Sequence, residues 1–135
     1  MLATIREAGW VPIVCLLLLV VPSKSLDLFT RFPDIDIPLH FFGGVATAFF
    51  FHRLSINASR FGVFGPFHVV THVALVFGLL CMAAVFWEFA EFLSDSLFGT
   101  HAQLRNEDTM SDLLLGVSGG ATFLSIFAVL RRYPG

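Results

Sequence analysis

The sequence predicts an all-α membrane protein, an antiparallel four-transmembrane-helix bundle, on three observations. The 135 residues are 56% hydrophobic and 13% charged, with a mean hydropathy of +0.83. Soluble domains run at roughly 45–50% and 25%. Seventeen Phe stand against one Tyr and two Trp, rings suited to lipid tails rather than to hydrogen-bonding partners. The apolar residues also fall into four separate stretches, and a stretch in hydrocarbon must be helical because nothing there satisfies an open backbone. The chain reads as a single transmembrane domain, residues 1–135, without internal repeats or low-complexity segments.

The first stretch reads as a span over about residues 4–21. Its uncharged part, residues 10–21, is shorter than the ~20 residues a span needs and reaches that length only with Arg6 and Glu7 counted in. Arg6 ahead of an apolar core also fits a signal peptide. The following VPSKS is a poor cleavage site, which favours a retained helix. The second span covers about 37–54 and opens at Pro38, in a first turn where its missing N–H costs nothing. The third, about 67–93, is the longest and must tilt or reach beyond the bilayer. The fourth covers about 109–130 and stops before Arg131 and Arg132. Cys15 and Cys81 lie inside apolar runs and read as small buried hydrophobes rather than a disulfide.

Orientation follows the Lys and Arg distribution. The termini and the middle loop carry Arg6, Arg53, Arg60, Arg131 and Arg132; the opposite side carries Lys24, Arg31 and Arg105. Five against three predicts cytoplasmic termini in a bacterial-type inner membrane. Asn57-Ala58-Ser59 matches a glycosylation acceptor but falls on the cytoplasmic side and reads as chance. The net charge of −2 comes with no basic cluster, so nothing points to nucleic acid.

One stretch stands apart. Residues 87–96, WEFAEFLSDS, close the third apolar run with Glu88 and Glu91 three residues apart. Asp36 and His40 are four apart at the start of span two, and Asp108 and Asp112 four apart at the start of span four. Each pair shares one helix face. In the antiparallel order all three pairs reach the same end of the bundle. An ionisable group at the bilayer centre costs at least ~2.5 kcal/mol, so the cluster Asp36, His40, Glu88, Glu91, Asp108 and Asp112 should face inward. Close carboxylates cannot all be ionised without a compensating cation. The candidates are protonated His40, Arg105, Arg31, Lys24 or a divalent metal ion. A metal would draw on His40, Glu88, Glu91, Asp108 and Asp112. Such an oxygen-rich set suits Mg²⁺, Mn²⁺ or Ca²⁺, with Zn²⁺ or Fe²⁺ admitted if the imidazole binds. Gly43 and Gly44 follow His40, and Gly116, Gly119 and Gly120 follow Asp112. Small residues let membrane helices approach closely, which would draw the polar faces together.

The remaining histidines are expected elsewhere. His68 and His72 have metal-pair spacing, yet His72 lies roughly 24 Å along the helix from Glu88 at 1.5 Å per residue. His68 reads as interfacial, His72 as a hydrogen-bonding group inside the bundle, His52 with Arg53 as a cytoplasmic interface anchor, and His101 as a loop residue. Trp10, Trp87 and Tyr133 suit the interfacial aromatic belts.

Asp36-x-x-x-His40 with FFGG, then WEFAEF, then DTMSDLLLGVSGG, resembles the pattern of VanZ-like membrane proteins and of the YjdF-like inner-membrane family, over about residues 34–120. The resemblance implies a fold and a set of polar positions, Asp36, His40, Glu88, Glu91, Asp108, Asp112 and Gly116; it implies no reaction. Glu91 stands where the VanZ pattern usually has Gln and Asp112 where it has Asn, which makes this cluster more acidic and leans toward the YjdF-like group.

Three function classes remain. In the first, an outward-facing acidic site with a cation binds or processes a polar lipid headgroup or an amphiphile. No nucleophile-with-base motif is present, so any chemistry would be metal-assisted or a proton transfer. In the second, intramembrane carboxylates serve a proton- or ion-coupled carrier. In the third, the polar cluster only sets helix register in an accessory or scaffold subunit. The partners implied are membrane lipids, with another membrane protein or a further copy of the chain as the other class.

Overall fold

The computed structural model describes residues 2–14, 17, 31–99, 103 and 105–132. Among them every regular element is helical. A short helix α1 (Leu2–Thr4) passes into a π turn, Ile5–Gly9, and the chain is helical again through Val14. Cys15, the rest of the first expected span except Leu17, Lys24, His101 and Tyr133 lie outside the described residues. A 3₁₀ turn over Pro33–Ile35 leads into α2 (Asp36–Arg60). Then come α3 (Val69–Phe98) and α4 (Asn106–Arg132). The helices run a few residues past the apolar windows at most ends, because polar first and last turns continue the backbone hydrogen bonding.

Local chemistry explains the ends of α3. His68 caps its start, its Nδ1 accepting from the Val70 N–H at 3.3 Å. Gly99 closes it at φ 63°, the left-handed C-terminal position where glycine has no Cβ to clash.

The core is narrow and built of small groups. Ala46, Ala48, Val76, Leu80 and Leu124 are buried, whereas Phe42, Phe89, Leu114 and Val129 are more than half exposed. A soluble monomer rarely shows so much contiguous apolar surface; a lipid solvent accepts it. The closest approach is between α2 and α4. A Cβ on Gly44 would run into the backbone carbonyl of Gly116, and one on Gly119 into the carbonyl of Phe41. Gly120 is closed by the Leu80 side chain, while Gly43 has open space around it.

By length and composition, α3 and α4 (to Leu130) can each cross a membrane. Among the described residues these are the two helices that pass this test, so two of the four expected spans are supported. Within α2 the apolar run is interrupted by His40, His52 and Arg53, which the fold turns toward neighbouring elements.

His52 departs from its expected place as an interface anchor. It is buried, with its Nδ1 2.9 Å from Nε2 of His72. The Ser55 hydroxyl, 3.2 Å from Nδ1 of His72, donates to the His52 carbonyl at 3.0 Å. The rings of Phe123 and Phe127 meet His52 edge-on. Arg53 beside it pairs with Glu7, and the amide of Asn57 donates to the Thr4 hydroxyl at 3.1 Å. The N-terminal segment thus engages Arg53 and Asn57, while α3 and α4 cover His52. Asn57, 1% exposed within a helix, is out of reach of any glycan-transferring enzyme.

Candidate functional site

Asp36 occupies the first turn of α2 and His40 the next, so helix geometry sets them side by side. The Gly44–Gly116 contact then brings α4 close enough for Asp112 to join them. Nε2 of His40 lies 3.3 Å from Oδ1 of Asp36 and 3.6 Å from Oδ1 of Asp112. One donor atom from each of the three residues falls within 4.8 Å of the others. Asp112 is 7% exposed, and His40 and Asp36 are partly covered.

The hydrogen inventory of this trio is short. One imidazole nitrogen faces two carboxyl groups, and a ring nitrogen carries at most one hydrogen. A single N–H cannot satisfy both oxygens, and both separations exceed the usual N–H···O range. With both carboxyls ionised, a proton or a metal ion must be shared among the three. Donors on one divalent ion sit about 2.0–2.2 Å from it, hence about 3–3.5 Å from one another. The two His40 separations are close to that spacing, and all three donor atoms lie within 4.8 Å of one another.

The other acidic residues take different partners. Glu88, 5% exposed, is held by the side-chain amide of Gln103, which donates to its Oε2 at 2.9 Å and to its backbone carbonyl at 3.0 Å. Glu91 accepts from the Trp87 indole at 2.8 Å, one turn back on α3. Asp95 accepts from the backbone N–H of Gln103 at 2.9 Å. Asp108 is half-buried in the first turn of α4. Of the six residues expected to cluster, the structure gathers Asp36, His40 and Asp112 as a compact donor set; Glu88, Glu91 and Asp108 stand outside that trio. Asp36, absent from the metal set expected from sequence, is one of the three residues whose donor atoms are close enough to hold an ion. Gln103 is the residue that sequence reasoning missed. It sits in a connection with no periodicity, and no spacing rule could have tied it to Glu88.

A family model described as "Predicted membrane protein (DUF2238)" matches residues 6–133. The chain belongs to this family. It is a membrane protein. A protein of Thermotoga maritima described as uncharacterized is 33% identical over 116 residues, 85% of this chain and 57% of the relative. The chain therefore spans a little over half of that relative's length. No solved structure matches. The family assignment supports the membrane reading; it does not carry the VanZ-like or YjdF-like names, and it assigns no ligand.

Proposed function

We propose that this DUF2238 member is a VanZ-like or YjdF-like inner-membrane protein, a four-span bundle with cytoplasmic termini. Its outward acidic end binds a divalent cation and, through it, a polar lipid headgroup or amphiphile. The supporting observation is the Asp36–His40–Asp112 trio, two carboxyls and an imidazole on two helices whose donor atoms lie within 4.8 Å of one another. Two carboxylates and one imidazole suit Mn²⁺, Zn²⁺ or Fe²⁺ better than Ca²⁺, which takes six to eight oxygens. The ion would neutralise the buried charge and leave open positions for a phosphate oxygen, which bare carboxylates would repel.

The scaffold reading has one observation in its favour: the same trio sits beside the Gly44–Gly116 contact and could act only as a register pin. The carrier reading meets an obstacle in the same contact. His40 and His52 are about 18 Å apart along α2, and backbone-to-backbone packing over Gly44 and Gly119 leaves little room for a water chain between them.

Metal content decides between binding and pinning. Protein extracted gently and stripped with chelator is expected to regain thermal stability on adding Mn²⁺ or Zn²⁺. At a metal concentration a hundred times the dissociation constant the gain is about 2.7 kcal/mol. Stability indifferent to chelator and to every added metal would leave only the register pin. For topology, reporters placed after Gly135 and within 55–65 are expected to read cytoplasmic, and one within 100–106 external. The reverse pattern would turn the acidic end toward the cytoplasm and remove the envelope ligand.

A further inference from the structure

Beside the trio, between the last third of α3 and the start of α4, lies an open cleft of roughly 420 Å³. Glu88, Phe89, Phe92, Gln103, Arg105 and Thr109 line it. Groups of both charge signs therefore face one space. Gln103 engages the Glu88 carboxyl through Oε2, leaving Oε1 as an acceptor. Among the described residues the Arg105 guanidinium has one ion pair, an exposed one with Glu107 at 3.8 Å, which solvent screening makes nearly worthless.

Depth says what could occupy the cleft. From Val69 to Trp87, α3 carries no charged residue, a rise of about 27 Å against a hydrocarbon thickness of ~30 Å. In α4 the stretch from Leu113 to Leu130 is likewise uncharged. Trp87, partly exposed, stands where an interfacial ring belongs, and Glu88 is the next residue. The cleft thus lies at headgroup depth, with the exposed rings of Phe89 and Phe92 on its apolar border.

We propose that this cleft binds a zwitterionic phospholipid whose headgroup is a primary ammonium on a phosphodiester. The ammonium donates to Glu88, the phosphodiester accepts from Arg105 and the Thr109 hydroxyl, and the first acyl carbons lie against Phe89 and Phe92. The inference rests on the reading of the acidic end as a lipid-facing site, and it narrows the headgroup class. Glu88 rejects a headgroup with negative charge alone. A quaternary ammonium has no N–H to give it, and the paired charges make a bridging metal unnecessary in this part of the site.

The test is native mass spectrometry of the whole chain titrated with phosphatidylethanolamine, phosphatidylcholine and phosphatidylglycerol of matched tails. The parent is expected to hold the ethanolamine lipid about tenfold more tightly than the other two, the size of one charge-assisted hydrogen bond. Glu88→Gln keeps an acceptor for Gln103 and should erase that preference; Arg105→Gln should weaken all three lipids alike. Should Glu88→Gln fail to fold, the exposed Arg105→Gln carries the test, and unchanged ethanolamine-lipid binding there overturns the proposal. Equal binding of the three lipids by the parent also overturns it. Glycerophosphoethanolamine, the headgroup without tails, should compete at millimolar concentration; lipid retention indifferent to it would place recognition in the tails and overturn the proposal. A Mn²⁺ titration of the same samples separates the two readings. Metal binding without headgroup preference removes the cleft alone, and headgroup preference without metal binding removes the metal centre alone.

Discussion

At the acidic end His40 faces the carboxyls of Asp36 and Asp112 at 3.3 and 3.6 Å. About 18 Å along α2, His52 meets His72 at 2.9 Å and Ser55 reaches His72 at 3.2 Å. The second set closes its own hydrogen-bond chain. Ser55 gives its hydrogen to the His52 carbonyl and receives one from Nδ1 of His72, whose Nε2 then receives from Nδ1 of His52. Neutral rings suffice there, and aromatic edges from Phe123 and Phe127 surround them. The acidic trio closes only when a carboxyl takes up a proton, Asp36 and Asp112 then hydrogen-bonding to each other; with both carboxylates ionised it holds more acceptors than hydrogens. Histidine by itself therefore says little about function; the balance of donors and acceptors around it separates a structural pair from a group that needs a ligand.

The largest expected effect removes the support both ends share. Gly44→Leu drives a side chain into the Gly116 backbone and should cost about 3 kcal/mol or more, abolishing cation binding with it. Gly43→Ala, with open space around it, should stay within about 0.5 kcal/mol of the parent. Chemical denaturation in mild detergent measures both, and equal stabilities would mean that α2 and α4 do not meet at Gly44.

A middle-sized effect belongs to the histidine pair. His72→Leu takes away the acceptor of the buried His52 Nδ1–H and the donor to the buried Ser55 oxygen, and should cost about 1–3 kcal/mol. The double substitution of His52 and His72 by Leu should cost clearly less than the two singles added, because no unpaired ring remains. Cation affinity should hold within about twofold in all three variants, since additivity is expected of separated sites. A lost cation would tie the two ends together and break the contrast.

The smallest stability change and the sharpest ligand change are expected at Asp112→Asn. It keeps size and one acceptor oxygen, so the fold should stay within about 1 kcal/mol while cation affinity falls about tenfold or more. Adding His40→Gln should then weaken binding little further, as residues sharing one ligand are not additive. Calorimetric titration with Mn²⁺ reads this directly; full additivity would mean that His40 and Asp112 do not hold the same ion.

Composition and apolar runs determined by themselves that this chain is helical and belongs in a membrane, because a lipid solvent permits few backbone solutions. Helical spacing also determined which acidic residues pair on one face: Asp36 with His40 needed only the i, i+4 rule. It could not say which of Glu88, Glu91, Asp108 and Asp112 would join them. That depends on helix rotation and distance, which a few backbone contacts at Gly44 and Gly119 settle. His52 read as an interface anchor beside Arg53 in sequence, yet His72 on α3 and the rings of Phe123 and Phe127 on α4 cover it. Gln103 owes its role to the reach of its amide to the Glu88 carbonyl and Oε2, a contact without period. Spacing along one helix is local and survives in the sequence. Contact between helices is a property of packed surfaces, and only the tertiary structure decides it.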